Sequence, residues 1–298
     1  MRSLLGILLF SLFFVACSNE NQQAEMSAIQ EMEAALETNQ DQDNVNKLIA
    51  EYEAYVENHP EDTEQNAEYM YRAGLLQYRS NRFNASLEYA KDVLKKYYDT
   101  DAAPKAALLM ATIYKDKLQN EVGANAVMQA FVHAFPDNEQ TPILRDSFLT
   151  NALELEKQID TLKYEIFNEK TGKIEYRQAQ DYIGVCEVYG LILPDAPLAP
   201  EYLHEAGKIA GYIQSHKKAM ELYEWVYTKY PKSEKAPLAL FMMGFTLQNE
   251  LNDPDAAKPL YEEFLKKYPD HDFADDTQFL LSNMGKSDEE IIQNFEQQ

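Results

Sequence analysis

The chain is poor in cysteine, glycine and tryptophan. Its 298 residues include 2 Cys, 10 Gly and 1 Trp, with 12 Pro. So little glycine argues against a β-rich or low-complexity protein. Cys17 belongs to an N-terminal targeting segment, which leaves Cys186 as the one thiol of the mature chain. One thiol cannot form an internal disulfide, so packing alone must hold the fold together.

Basic residues are also scarce. The chain has 27 Lys and Arg against 50 Asp and Glu, a formal net charge of −23. Nucleic-acid binding needs clusters of Lys and Arg, and so does a polybasic contact with a membrane surface. The charge therefore argues against both of these partners, and it favours solubility and a basic protein partner.

Motifs for catalysis are missing. There is no Gly-rich phosphate loop, no HExxH and no CxxC, and the five histidines show no ligand spacing. We expect no cofactor, no metal and no enzymatic activity. Ser215-His-Lys-Lys218 fits the S-x-x-K pattern, but its companion motifs are absent, so we interpret it as a turn between helices. Cys186 lies seven residues after Ala179 and is interpreted as a small core residue.

The N-terminus has the features of an export signal. Arg2 precedes an apolar run from Leu4 to Ala16, which is too short to span a bilayer and suits a signal peptide. The run ends in Val15-Ala16-Cys17 and resembles a bacterial lipobox, with Phe14 where Leu is usual. This resemblance implies a signal peptide at 1–16, a lipidated Cys17 and a polar tether at 17–25. The alternative is an ordinary secretory signal.

One stretch, Ala236 to Pro269, has the pattern of a helical hairpin. Pro237 suits the first turn of a helix, and apolar or small residues follow at i, i+3, i+4 and i+7 from Leu240. Asn252-Asp-Pro254 breaks this helix. A second amphipathic helix then ends at Tyr268-Pro269, because the residue before proline is disfavoured in the helical region.

The same hairpin recurs along the chain. Pro200 and Pro237 are 37 residues apart, and Pro231 and Pro269 are 38 apart. Periods of this size predict an all-α, right-handed solenoid of about six hairpins, in which neighbours bury each other's apolar faces. The predicted repeats are 26–60, 62–98, 101–136, 141–194, 199–231 and 236–269, followed by a cap at 273–296.

The fourth repeat and the cap have features of their own. In the fourth repeat, Pro142 opens a long helix to about Phe167, a polar turn covers 169–173, and a second helix runs from Tyr176 to Leu191. In the cap, Ser287 and Glu290 form a capping box for a last short helix.

These repeats resemble the tetratricopeptide repeat. Small residues mark the first helices at Ala73, Ala111, Gly207 and Gly244, and the second helices at Ala85, Ala124, Ala219 and Ala257. The aromatic residue four places later corresponds to Tyr89, Tyr223 and Tyr261, with Met128 in the third repeat. Arg72 departs from the pattern, since its position is usually apolar.

The ending of the last repeat is more specific. Phe264 to Pro269, followed by Phe273-Ala-Asp-Asp276, is similar to BamD-like outer-membrane lipoproteins and to the Tol-associated division coordinator. The first resemblance implies a non-catalytic adaptor that binds outer-membrane assembly components. It would sit on the periplasmic face of the outer membrane, as Ser18 after Cys17 also favours, with the cell surface as the alternative.

Two rival functions remain open. A coordinator of peptidoglycan synthesis and cell division follows from the second resemblance. A sugar-binding or hydrolytic surface lipoprotein is the rival from another class, and it would need a carboxylate pair or triad that the sequence does not show.

The first helices of such repeats line a groove in which a partner binds. Leu238, Phe241 and Phe245 would form an apolar patch there, unless the C-terminal helices at 273–295 cover it. The outward positions carried over from the resemblance form the predicted partner groove: Met70, Gln77, Lys105, Leu108, Thr112, Lys115, Glu201, His204, Lys208, Leu238, Phe241, Phe245 and Gln248.

Overall fold

A computed structural model describes residues 4–39, 41–149, 154–168, 170–286 and 290, with side chains from residue 21 onward. The chain divides into two compact units, an N-terminal unit (Met1–Ala124) and a C-terminal unit (Asn125–Gln298). The described residues form fourteen α-helices and a single two-stranded sheet. This confirms the prediction of an all-α fold built from helical hairpins. None of the described helices is long and apolar enough to cross a membrane.

The N-terminal unit is built from consecutive helices that pack on one another: α1 on α2, α2 on α3, α3 on α4, and α5 on both α3 and α4. A π-helical turn, Ile113–Lys117, continues α5, and the boundary between the two units lies within α6. The helices are α1 (Leu4–Thr38), α2 (Gln42–Asn58), α3 (Thr63–Arg79), α4 (Phe83–Lys96), α5 (Ala102–Thr112) and α6 (Glu121–Ala134).

The C-terminal unit follows the same plan, with successive packing from α8 to α14. Its irregular elements are a π-helical turn, Thr246–Glu250, and two short antiparallel strands, β1 (Phe167–Asn168) and β2 (Lys173–Ile174). The helices are α7 (Gln140–Ser147), α8 (Leu155–Glu165), α9 (Tyr176–Ile192), α10 (Ala199–Tyr212), α11 (His216–Lys229), α12 (Lys235–Phe245), α13 (Pro254–Lys267) and α14 (Ala274–Asn283).

Small residues in the first helices allow close contact with aromatic rings of the second helices. A Cβ added to Gly207 would lie 2.5 Å from Cε1 of Tyr223, and one added to Gly244 would lie 2.7 Å from Cε1 of Tyr261. Both rings are buried. In these two hairpins the small residue of the first helix thus packs directly on the aromatic ring of the second helix.

In the second repeat the interior position is shifted by one residue. Ala85 is half-buried, whereas Ser86 is fully buried and donates its Oγ hydrogen to the backbone oxygen of Gly74, at 2.7 Å. Ala85, the small residue that the resemblance assigns to the second helix, is therefore not the interior residue here, because Ser86 occupies the buried position with its hydroxyl bonded to the backbone.

The fourth repeat differs from its prediction. A continuous helix from Pro142 would bury residue 148 four places after the buried Leu144, but Phe148 is exposed and α7 ends before it. A separate buried stripe, Leu155, Ile159 and Leu162, belongs to α8. The predicted long helix is thus two helices, and the predicted polar turn connects β1 to β2.

The predicted tether at 17–25 is wrong at its C-terminal end, which lies in α1. Gln22 Nε2 donates to Tyr55 Oη (2.8 Å) and to Asp62 Oδ2 (2.9 Å), and Glu25 Oε2 lies 2.8 Å from His59 Nε2. These polar residues have partners on α2 and on the loop after it, so they pack rather than extend into solvent.

Three smaller predictions can also be placed. Cys186 is fully buried, as expected of a core residue. Ser215 stands immediately before α11, after Gln214 with φ 59°, which confirms a turn. Ser287, the predicted N-cap of the last helix, lies outside the described residues.

Candidate functional site

The structure buries four of the thirteen predicted groove residues. Met70, Gln77, His204 and Phe241 are each less than a tenth exposed. Their prediction as outward-facing residues was wrong, because α3, α10 and α12 each contact several neighbouring helices and have little open surface. Lys105 is exposed, and the remaining eight are half-buried: Leu108, Thr112, Lys115, Glu201, Lys208, Leu238, Phe245 and Gln248.

The C-terminal residues cover Phe241. Its ring centroid lies 4.8 Å from that of Phe273, the residue before α14, and 6.0 Å from that of Phe264 on α13. Leu280, Leu281 and Met284 join the same apolar cluster, and half-buried Phe245 packs against it. The apolar patch was predicted to be either open to a partner or covered by the C-terminal helices, and the structure confirms the second for Phe241.

Ion pairs join the first helices of the N-terminal unit. Arg72 on α3 lies 2.7 Å from Glu33 on α1 and 2.8 Å from Glu68, which in turn lies 3.1 Å from Lys105 on α5. Burial acts to raise the pKa of Glu68, but hydrogen bonds from Arg72 and Lys105 outweigh it and hold this pKa below its usual range. Arg72 can therefore occupy a usually apolar position because two carboxylates neutralise it.

The C-terminal unit has a similar arrangement. Glu205 on α10 forms an ion pair with Lys163 of α8, at 3.0 Å, and another with Lys208, at 2.8 Å. The pKa of Glu205 is held well below its usual range, first by the buried His204 ring and next by these two lysines. The Nδ1 atom of His204 lies 3.8 Å from Oε1 of Glu205. Glu201 pairs with Lys235 of α12 at 2.7 Å. These ion pairs tie neighbouring first helices together.

A cavity of about 390 Å³ is open to a ligand in the N-terminal unit. It lies between α1, α2 and α3, in the first predicted hairpin and the start of the second. The walls combine apolar side chains with two arginines and two glutamates. The residues that line this first-hairpin cavity are Glu33, Leu36, Glu37, Gln42, Val45, Leu48, Tyr52, Arg72, Leu75, Leu76, Arg79 and Ser80.

None of these residues belongs to the predicted groove. The signal was nevertheless present in the sequence, because Arg72, Leu75, Leu76 and Arg79 follow one another at i, i+3, i+4 and i+7 on α3. The predicted groove used the tetratricopeptide positions of later hairpins, and these positions do not include this face of α3.

A second cavity, of about 400 Å³, lies in the C-terminal unit around the turn before α10. Asp195 and Lys229 are its charged residues, and the remainder are Pro194, Ala196, Pro197, Pro200 and Tyr230. Among the residues that the structure describes, no group of three or more His, Cys, Asp or Glu side chains could hold a metal ion. The chemistry of both cavities suits binding.

Comparison with known sequences bears on the last hairpin. A search of curated proteins found no match. The family model described as "Tetratricopeptide repeat" matches residues 238–271, which run from α12 through α13. The match coincides with the hairpin in which Gly244 packs on Tyr261. The last hairpin is therefore similar to a tetratricopeptide repeat, and the chain folds as an all-α array of helical hairpins of this type.

Proposed function

We propose that this protein is a non-catalytic scaffold that binds other proteins and is held by a lipid on Cys17 at the periplasmic face of the outer membrane. The observation that carries the proposal is the first-hairpin cavity, which stands open on an array of tetratricopeptide type. Tetratricopeptide repeats generally bind other proteins.

The cavity supports a binding function more than a catalytic one. Two of its four charged groups are engaged with each other: Glu33 accepts a hydrogen bond from Tyr52 at 2.6 Å and pairs with Arg72. A general base must be able to reach the proton that it removes, and a nucleophile needs such a base beside it. Ser80 and Tyr52 are the hydroxyl groups of this lining, and it contains no histidine or cysteine.

The finer part of the proposal concerns the partners. The lipobox-like sequence at Cys17 and the ending of the last repeat support a BamD-like role, in which the partners are components of outer-membrane protein assembly. Packed, rigid hairpins suit this role, because a preorganised surface loses little entropy when a partner binds.

Crosslinking of the native protein in intact membranes, followed by identification of the attached proteins, tests this function. We expect to recover outer-membrane assembly components. Recovery of cell-wall synthases alone would replace the proposal with a role in peptidoglycan synthesis and division. A hydrolase activity in the purified protein would overturn the scaffold function itself.

The lipid anchor has a separate test. Cells that express the protein are grown with a labelled fatty acid, and Cys17→Ser is compared with Cys186→Ala. We expect label in the wild type and in the Cys186→Ala variant, and none in Cys17→Ser. Labelled Cys17→Ser protein, or an unlabelled wild type, would contradict the anchor.

A further inference from the structure

The charge of this protein is concentrated in its first hairpin. Between residues 20 and 64 the sequence has thirteen acidic residues and a single basic one, Lys47. This segment covers the second half of α1, all of α2 and the start of α3. About half of the net charge of −23 therefore falls on about a sixth of the chain.

The first-hairpin cavity lies within this acidic region. Its α1 wall contributes Glu33 and Glu37, and its α2 wall contributes no charged residue. Arg72 on the α3 wall offsets only part of the surrounding charge, because its one positive charge lies between two carboxylates, Glu33 and Glu68. Exposed Glu37 makes no ion pair with the described residues, so its carboxylate is available to a ligand.

The interior of the cavity is apolar. Leu36, Val45 and Leu48 are buried at one side, and Leu75 and Leu76 of α3 are half-buried at the other. A volume of about 390 Å³ is enough to take large aliphatic side chains, and it lies within the range of specific ligand pockets. Half-buried leucines beside an open cavity gain contacts when an apolar group fills it.

We propose that the first-hairpin cavity binds a basic segment of a partner protein, in which an apolar side chain enters the cavity and neighbouring lysines or arginines face the acidic residues of α1 and α2. The proposal rests on the proposed scaffold function and names the partner's chemistry. The apolar anchor supplies affinity, and the charge supplies rate and selectivity, because complementary potentials speed association and repel acidic partners. Arg79, which makes no ion pair with the described residues, is available for a main-chain carbonyl of the segment.

Three synthetic peptides of equal length, measured by fluorescence anisotropy with the purified full-length protein, test this binding. The first has two leucines flanked by lysines, the second has glutamates in place of the lysines, and the third has glycines in place of the leucines. We expect the first peptide to bind at least about tenfold more tightly than the others. We also expect its binding to weaken as NaCl screens the charges. Equal binding of the acidic peptide, or of the glycine peptide, overturns the proposal.

Matched variants locate the binding site. Leu75→Trp fills the cavity, and Glu37→Lys reverses a charge at its edge. Each variant should bind the first peptide about tenfold or more weakly than the wild type does. Their controls are Leu118→Trp, an exposed position at the end of α5's π-helical turn, and Glu224→Lys, an exposed acid of α11 in the C-terminal unit. Both controls should bind as the wild type does. Glu37 is exposed, so its variant is expected to fold even where Leu75→Trp does not.

The two proposals fail separately. If crosslinking in membranes recovers partner proteins but the crosslinks map away from α1, α2 and α3, and the peptides do not bind, the cavity proposal is overturned and the scaffold function stands. If the first peptide binds and both variants lose it, the cavity proposal is supported whichever partners the membranes contain.

Discussion

At the scale of the residue, two hairpins bring a glycine of the first helix into close contact with a tyrosine of the second. In α10, Gly207 lies against Tyr223, and no atom within 4 Å would meet a Cβ at Gly184 in α9. Both glycines are inside helices, where alanine is the better residue by up to about 1 kcal/mol. The two positions thus differ in packing and not in backbone preference.

Gly207→Ala should lower the free energy of unfolding by about 1–3 kcal/mol, since an added methyl group must displace the buried Tyr223 ring. Gly184→Ala is the control and should raise it by about 0.5–1 kcal/mol. Urea unfolding followed by circular dichroism measures both. A stabilising Gly207→Ala would mean that α10 and α11 are not in close contact.

Phe241 offers a second test at this scale. It is 7% exposed among Phe264, Phe273 and Tyr261, whereas Phe279 of α14 is 42% exposed. Phe241→Ala should cost about 3–5 kcal/mol, because it leaves a cavity in a packed cluster. Phe279→Ala should cost much less in the same unfolding experiment. A small loss for Phe241→Ala would show that α14 leaves this surface open to a partner.

Glu205 should give a pH-dependent contribution to stability. Its pKa in the folded protein lies well below its usual range, so the contribution is present above the unfolded pKa of about 4.3 and is lost as the pH falls toward the folded value. Glu205→Gln should cost about 1–3 kcal/mol at pH 7 and progressively less below about pH 4. Unfolding at several pH values checks this. A cost that is constant down to pH 3 would contradict the ion pairs with Lys163 and Lys208.

At the scale of the element, each regular hairpin turns through a residue with positive φ, placed two residues before the second helix. These residues are Asn81, Gln119, Gln214 and Asn252, with φ between 51° and 59°.

The spacing of small residues also predicts the π-helical turns. Ala111 to Ala124 and Gly244 to Ala257 are thirteen residues apart, and a π turn occurs in both hairpins. In the two hairpins without one, Ala73 to Ala85 and Gly207 to Ala219 are twelve apart.

Gln214→Gly should raise the free energy of unfolding by about 0.5–1 kcal/mol. The left-handed conformation costs a residue with a side chain roughly 1–2 kcal/mol, and the greater entropy of unfolded glycine removes part of the gain. Asn81→Gly is the matched control with a smaller gain, because Asn tolerates this conformation better than Gln. Thermal unfolding compares them. A loss of stability in Gln214→Gly would mean that its side chain makes a contact in the turn.

Sequence reasoning worked best where one hairpin repeats another. The helices α10 and α12 begin within a residue of the predicted repeat starts at 199 and 236, and α13 ends one residue before Tyr268, because Pro and apolar spacing act locally. It failed where tertiary contacts decide. Phe148 could equally extend a buried stripe or end one, and the four buried groove residues depend on which neighbouring helices cover them. The first-hairpin cavity was missed for the same reason, since its walls come from three helices.

At the scale of the whole molecule, the net charge of −23 sets a balance between local attraction and general repulsion. The ion pairs of Arg72 and Glu205 are partly buried and are therefore screened little by salt. Repulsion among the exposed carboxylates of residues 20–64 acts over longer distances. It is strong at about 0.01 M salt, where the screening length is roughly 30 Å, and weak at 1 M, where it is roughly 3 Å.

Raising NaCl from about 0.01 M to about 0.3 M should therefore increase the melting temperature. The gain should be smaller in a variant that carries Glu51→Lys and Glu57→Lys, two exposed acids of α2 that make no ion pair with the described residues. This double variant should also melt higher than the wild type at low salt, because it removes repulsion without removing a packed side chain. Scanning calorimetry of the two proteins at both salt concentrations measures the effect. If salt lowered the melting temperature of the wild type, the ion pairs between helices would outweigh the repulsion. The acidic first hairpin would then carry no excess repulsion that a basic partner could relieve.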